Sequence, residues 1–394
     1  MAAGTVPALH VLGDSLVTFN LSKRLDNARF ILMVLVVLTH TLTSDMPGYS
    51  AVLGLIHPFQ TRALAFISGV VSRKGRTLQE VGRSSRDTAV QILVFSVILD
   101  PVCHQFFAGK LLFDPAAYVR KVVHLLLFSG EQIHWYLFGL LWWRLLSSQL
   151  EQIESARRRM AVSLMVAALA TYHYSTFLSV TESLACWPFY VAGDLCGRLW
   201  PEMEKSYKLI RSPASSCLGV LAFLGMHMAV VKLGWTQHFP FSSGCIPWAM
   251  QEFDYDNSFL SGYWTFLLRG CLGYLLMFGK IAVFLVFCCP DVATVITPLG
   301  RHSIFPYLLH YPAVPVYRHL MHQALSSSRV TYTAQAHVWV LALLLSILAV
   351  SILSSTPVRA LFGCVLQPFR RQDEFEPAVL MPFWARAQRP CPQQ

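Results

Sequence analysis

The stretch "RLDNARFILMVLVVLTHTLTS", residues 24–44, decides how the rest of the chain is read. Its centre is a continuous apolar run of the kind that forms a membrane helix, yet Asp26 and Arg29 stand at one end and His40 near the other. Arg29 and His40 are eleven positions apart. At about 100° and 1.5 Å per residue they differ by only about 20° around a helix axis and lie about 16 Å apart along it. Asp26, Arg29, Met33, Val36 and His40 therefore share one stripe. Ionisable groups are costly inside hydrocarbon, so such a stripe faces a protein interior or a water-filled cavity and marks a pathway or an active site.

The remainder of the chain fits a membrane setting. Hydrophobic residues make up 55% of its 394 positions and charged residues only 13%, with a mean hydropathy of +0.49. That balance is too apolar for a soluble globular protein of this length. The fold class it predicts is all-α, a polytopic membrane helix bundle. Apolar runs fall near 28–45, 51–71, 88–107, 122–147, 160–178, 183–199, 216–233, 262–288, 302–321 and 336–354, which gives about ten transmembrane helices. The runs are continuous and lack the two-residue alternation of a membrane strand. The fourth and ninth are interrupted by polar groups or prolines. The organisation expected is a cytosolic N-terminal segment over 1–23, a transmembrane domain over 24–354 and a polar cytosolic tail over 355–394. The first residues lack the basic start, apolar core and cleavage site of a signal peptide, so insertion is expected to begin with the first helix.

Basic residues set the orientation. Arg73, Lys74, Arg76, Arg83 and Arg86 share one loop region, Arg157–Arg159 another, and Arg370 and Arg371 the tail, whereas the alternate loops hold few Lys or Arg. The positive-inside rule then puts both termini in the cytosol. The formal net charge of +10 follows from this bias and from attraction to anionic membrane lipids, so no nucleic-acid partner is expected. The cysteines fall mostly in or beside the apolar runs and imply no disulfide framework. Paired Cys/His spacings, a P-loop, a GxGxxG turn and a GxSxG elbow are all lacking, so no metal site, nucleotide site or ordinary serine-hydrolase chemistry is expected.

Several stretches resemble one family in its own order. Arg29, ten residues and His40, within "LDNARFILMVLVVLTH", resemble the first-helix signature of the acyltransferase-3 family of integral membrane acyltransferases; the fucose 4-O-acetylase-like branch is the most similar. "FISGVVSRKGR" (66–76) resembles its second-helix Ser-Gly followed by basic residues, with Arg73 and Arg76 matching an Arg-x-x-Arg pair. "HWYLFGLLWWR" (134–144) resembles its His-Trp-Phe/Tyr-Leu helix, and "WPFYVAGDLCG" (187–197) its Pro-Phe-Phe-x-x-Gly helix. "LGRHSIFPYLLH" (299–310) resembles its Leu-Gly-x-x-Ser-hydrophobic-Tyr-Leu-x-His element, but departs from it in Phe305-Pro306 before Tyr307. Such a proline can kink a helix.

The resemblance implies transfer of an acyl group, commonly acetyl, from acetyl-CoA or another acyl-CoA co-substrate to a hydroxyl of a carbohydrate, a lipid-linked acceptor or another small acceptor. Under it His40 and Arg29 are the candidate catalytic residues. A hydroxyl attacking a thioester needs a base, and histidine titrates closest to neutral pH. His40 would act on the acceptor directly or carry the acyl group briefly. Arg29, Arg73 and Arg76 would hold CoA phosphates through charge-assisted hydrogen bonds. Asp26, Ser68, His134, Trp135, Tyr136, Arg301, Ser303 and His310 are the candidate substrate-binding residues.

Plainer roles stand beside these. Arg29 can also be read as an interfacial anchor whose charge snorkels to the surface, and His40 as a structural hydrogen-bonding group between helices. Ser68-Gly69 suits close helix packing, and Trp135, Trp142 and Trp143 suit an aromatic belt. Arg83 and Arg86 repeat the Arg-x-x-Arg spacing. Arg269 and Lys280 share a face of the eighth run, where they would bind an anionic group or snorkel. For the whole chain the rivals are a multi-pass transporter of a small anionic solute, which should show an internal repeat with broken helices, and an inactive acyltransferase relative.

Overall fold

The computed structural model describes residues 8–43, 46, 48–72, 78–101, 103, 114–128, 134–172, 175, 177–210, 212–232, 259–327 and 332–369. Every regular element among them is helical. Helix α1 runs Ala8–Thr41 and α2 Tyr49–Val70. The turn between them includes Gly48 at φ 74°, a left-handed conformation open to glycine without steric cost. α3 covers Leu78–Val94 and passes into a π-helical turn over Phe95–Leu99. Then come α4 (Pro115–Leu127), α5 (Trp135–Leu150), α6 (Ala156–Tyr172), α7 (Val180–Ile210) and α8 (Pro213–Lys232). α9 (Phe259–Val283) ends in a second π-helical turn, Phe284–Cys288. Two short turns, Thr297–Gly300 and Ile304–Leu309, lead to α10 (Val314–Ser327), α11 (Tyr332–Leu353) and α12 (Thr356–Leu366).

Three expectations need correcting or refining. The run at 122–147 is two helices, α4 and α5. The first starts at Asp114, whose carboxylate accepts from the backbone N–H groups of Ala116 and Ala117 with Pro115 at its first turn, the usual opening of a helix. The interruption expected in the run at 302–321 takes the form of a 3-10 turn over Tyr311–Ala313 that separates two helical pieces, where Pro312 and Pro315 withhold backbone donors. The segment expected to be a polar tail begins with α12, which is fastened to α3 by Gln91 Nε2 donating to the Leu366 carbonyl at 2.9 Å and by the Phe369 N–H donating to Asp87 at 3.1 Å. Residues 233–258 and 370–394 lie outside the described residues.

α7 is the axis of the bundle, with α2, α5 and α6 packed along it. The crossing of α2 and α7 depends on glycine. A Cβ on Gly69 would stand 2.0 Å from the Tyr190 carbonyl oxygen, and one on Gly193 2.0 Å from that of Phe66. Small residues at such crossings let backbones approach closely. α1 lies among α2, α11 and the Thr297–Gly300 turn.

Polarity is distributed in an unusual way. Among the described residues, one helical window, Cys271–Cys288, is long and apolar enough to cross a membrane by length and composition, with a mean hydropathy of 2.2. The pair His337–Leu353 and Thr356–Leu366, bent by 64°, meets the same test jointly. Other expected runs form shorter helices or carry polar groups on buried faces: Asp26 and Asn27 in α1, Gln60 and Arg62 in α2, Glu182 in α7. The outer faces are apolar, with Leu218 and Leu221 of α8, Leu275 of α9 and Leu344 and Leu348 of α11 all exposed.

Candidate active site

The polar residues at the start of the quoted stretch meet the segment that follows α9. Arg24 pairs with Asp291 at 3.3 Å. The Asn27 amide donates to the carbonyls of Pro290 and Val292, both at 3.0 Å, and its carbonyl oxygen accepts from the hydroxyls of Thr294 at 2.9 Å and Thr297 at 2.6 Å. Asp26 accepts from Arg29 at 3.1 Å and from Arg301 at 3.3 Å. Asp26 precedes the apolar run, and burial raises its carboxyl above the ordinary carboxylate value while the two guanidinium groups act in the opposite sense. Gly300 makes this seat: a Cβ there would stand 1.7 Å from the Asp26 carbonyl oxygen.

Above this network is a cavity of about 370 Å³, between α1, α2, α3, α5, α7 and residues 301–307. Arg29, Ser68, Tyr136, Arg301 and Ser303, all expected at the site, line it. The Ser68 hydroxyl and the Tyr136 phenol are 2.8 Å apart. Asp26 holds Arg29 and Arg301 from behind, with 3% of its side chain exposed, against 21% for Arg29 and 57% for Arg301. The open end of the cavity is therefore cationic, and it suits a multiply charged anion.

Other lining residues went unnoticed in the sequence. Arg144 of α5 donates to Thr88 at 3.0 Å, and Tyr190 of α7 donates to Ser72 at 3.0 Å. Tyr307, Asp87 and Gln91 also reach the cavity. Arg144, Tyr190 and Tyr307 stand inside the stretches quoted above, and Asp87 and Gln91 are four apart on α3, a spacing that puts them on one face.

No family model, curated protein or solved structure matches this chain. What the site can do follows from its own side chains.

His40 is not among the cavity's lining residues. Its ring faces that of His310, centroid to centroid 5.3 Å, and its backbone carbonyl accepts from Arg318 at 3.1 Å. Its imidazole has no hydrogen-bond partner among the described residues. His310 is fully buried; its Nδ1 donates to the Pro306 carbonyl at 2.8 Å, and its Nε2 has no partner among the described residues. The bond at Nδ1 selects the tautomer with Nε2 unprotonated. Pro306, the departure from the family's pattern, thus orients His310. Tyr307 lies between the cavity and this pair, its ring 5.5 Å from Tyr136 and 6.5 Å from His310.

The remaining candidates are elsewhere. His134 packs on Phe95 at 4.9 Å and its Nε2 donates to the Leu125 carbonyl at 2.9 Å. Trp135 is buried beside Tyr136, their rings 6.1 Å apart. Trp142 and Trp143 donate to the carbonyls of Leu178 and Ser183 at 3.2 and 2.6 Å, so these two indoles tie α5 to the residues at and before the start of α7. Arg73 and Arg76 lie outside the described residues, while Arg83 and Arg86 are exposed on α3.

Proposed function

We propose that this chain is an integral membrane acyltransferase that moves an acyl group, acetyl first, from acyl-CoA to a hydroxyl of a carbohydrate, a lipid-linked glycan or another small acceptor. One observation carries the reading. Arg29, Ser68, Tyr136, Arg301 and Ser303, drawn from four of the stretches that resemble acyltransferase-3 motifs, converge on one cavity, and the histidines of the first and last stretches meet beyond it. A membrane setting is supported by leucines on the outer faces while Asp26, Asn27, Gln60 and Glu182 are buried; the count of about ten spans rests on the apolar runs of the sequence alone.

Chemically, the arginines receive the CoA phosphates at the cytosolic end, and the thioester arm extends inward past Tyr136 and Tyr307. His40 takes the proton of the acceptor hydroxyl as its oxygen attacks the thioester carbonyl. The CoA thiolate leaves and the ester forms. Arg29 and Arg301 are oriented for phosphate by Asp26, so binding costs little rearrangement. The test is acetyl-CoA consumption by the purified chain in nanodiscs, with carbohydrate and lipid-linked acceptors. Arg29→Ala should weaken acyl-CoA binding about tenfold, less so as salt rises, since exposed phosphate pairing is screened. Absence of acceptor-dependent turnover across the panel, together with unchanged acyl-CoA affinity in Arg29→Ala, would defeat the proposal.

A further inference from the structure

Away from the arginine-lined cavity, α2, α8 and α9 enclose two further cations. Lys280 of α9 is 1% exposed and Arg62 of α2 is 3% exposed. Lys280 does not snorkel outward; its Nζ stands 5.6 Å over the ring of Phe223 on α8. Arg62 donates to the Pro58 carbonyl one turn back in its own helix, which occupies one of its five N–H groups. No carboxylate lies within ion-pair distance of either cation among the described residues, and the two repel each other. Their polar neighbours bring no negative charge. His227 of α8 interacts electrostatically with Lys280, as His57 and Tyr274 do with Arg62. The Tyr274 hydroxyl is committed to the Ala185 carbonyl at 2.7 Å. The walls are aromatic, with Phe59 edge-on to Phe223 at 5.1 Å and to Phe284 at 5.2 Å.

Two like charges buried among phenylalanines are unfavourable unless a counter-charge joins them. Among the described residues none is supplied here. We propose that Arg62 and Lys280 form a second binding site, between α2, α8 and α9, for a small oxyanion: a carboxylate or phosphate group. The planar guanidinium offers a fork that matches two oxygens of such a group, and the ammonium adds a point charge with three donors. Phe59, Phe223 and Phe284 exclude competing water. The site is separate from the first cavity, whose lining includes Leu64 and Ile67 of α2 but neither Arg62 nor Lys280. It does not depend on acyl transfer. The anion comes either from solution or from the head of a lipid acid.

The test is thermal unfolding of the full chain in nanodiscs of neutral phosphatidylcholine. Sodium phosphate or sodium acetate replaces sodium chloride at constant ionic strength, and a parallel arm adds phosphatidic acid to the nanodisc without free phosphate. All arms are repeated in Arg29→Ala, which weakens anion binding in the first cavity, where Arg144 and Arg301 remain. In that background the midpoint should rise by about 3 °C or more in at least one arm, and the arm identifies the source. Lys280→Met and Arg62→Met should each remove the rise, and Lys280→Arg should keep it. With two neutralising variants the outcome does not hang on the folding of one. No rise in any arm, or a rise in either methionine variant equal to that of its parent, would overturn the proposal.

Discussion

The two ends of the polar stripe on α1 carry similar residues to opposite effect. At its start, the polar side chains of Arg24, Asp26, Asn27 and Arg29 meet protein groups; Asn27 alone is held by two backbone carbonyls and two threonine hydroxyls. At the far end His40 has a ring neighbour but no hydrogen bond to its imidazole among the described residues, and it faces a second histidine whose Nε2 is likewise unengaged. Polarity at the first end fastens α1 to the segment after α9 and aims two arginines. A buried polar group without a partner costs free energy, as at His310 Nε2, and under the proposed function the histidine end of the stripe serves proton exchange while the other end serves architecture.

That contrast predicts different failures at each place. The largest is at Gly300, on the fastened end. Gly300→Val forces side-chain atoms into the α1 backbone, where even a Cβ would stand 1.7 Å from the Asp26 carbonyl oxygen; the expected cost is above about 4 kcal/mol, seen as loss of a folded, monodisperse peak in detergent. A Gly300→Val protein with a wild-type unfolding midpoint would mean that α1 does not rest on this turn. Asp26→Asn is next. It keeps the size of the side chain but removes the charge that holds Arg29 and Arg301, and should cost about 1 to 3 kcal/mol in thermal or denaturant unfolding. An unchanged midpoint would show the two arginines to be held by other groups. The smallest effect belongs to Ser68→Ala, which removes one partner of the 2.8 Å contact with Tyr136. About 1 kcal/mol or less is expected, and a larger loss would give Ser68 a part in packing beyond that bond.

How much of this was legible in the sequence differs from residue to residue. The inward stripe of Asp26 and Arg29 followed from helical periodicity alone, because charge on an apolar helix has to face inward. Close packing was a weighed alternative at Ser68-Gly69, and Gly69 serves it. The separation of His40 from the cavity was not legible, since spacing along α1 gives a common face but does not say where the cavity ends. Two signals were present but outweighed by composition. Asp114-Pro115 is a helix start inside a region treated as loop, and Ser355-Thr356-Pro357 followed by an apolar run opens α12 inside a proline-rich tail. Lys280 was read with Arg269 on one face of its helix, but its electrostatic interaction with Arg62 links α9 to α2, positions 218 apart in the chain. No local pattern encodes such a meeting.

The contrast between the two ends of α1 is tested most directly by His40→Gln and Asn27→Ala measured side by side, each for unfolding midpoint and for acetyl-CoA turnover per folded molecule. Glutamine keeps hydrogen-bonding capacity but does not take a proton near neutral pH. His40→Gln should hold a midpoint close to wild type and lose about two to four orders of magnitude in turnover, the usual worth of a positioned general base. Asn27→Ala should do the reverse, losing several degrees of midpoint while the molecules that remain folded turn over at a rate near wild type. A His40→Gln protein that is well folded and works at the wild-type rate would contradict the account.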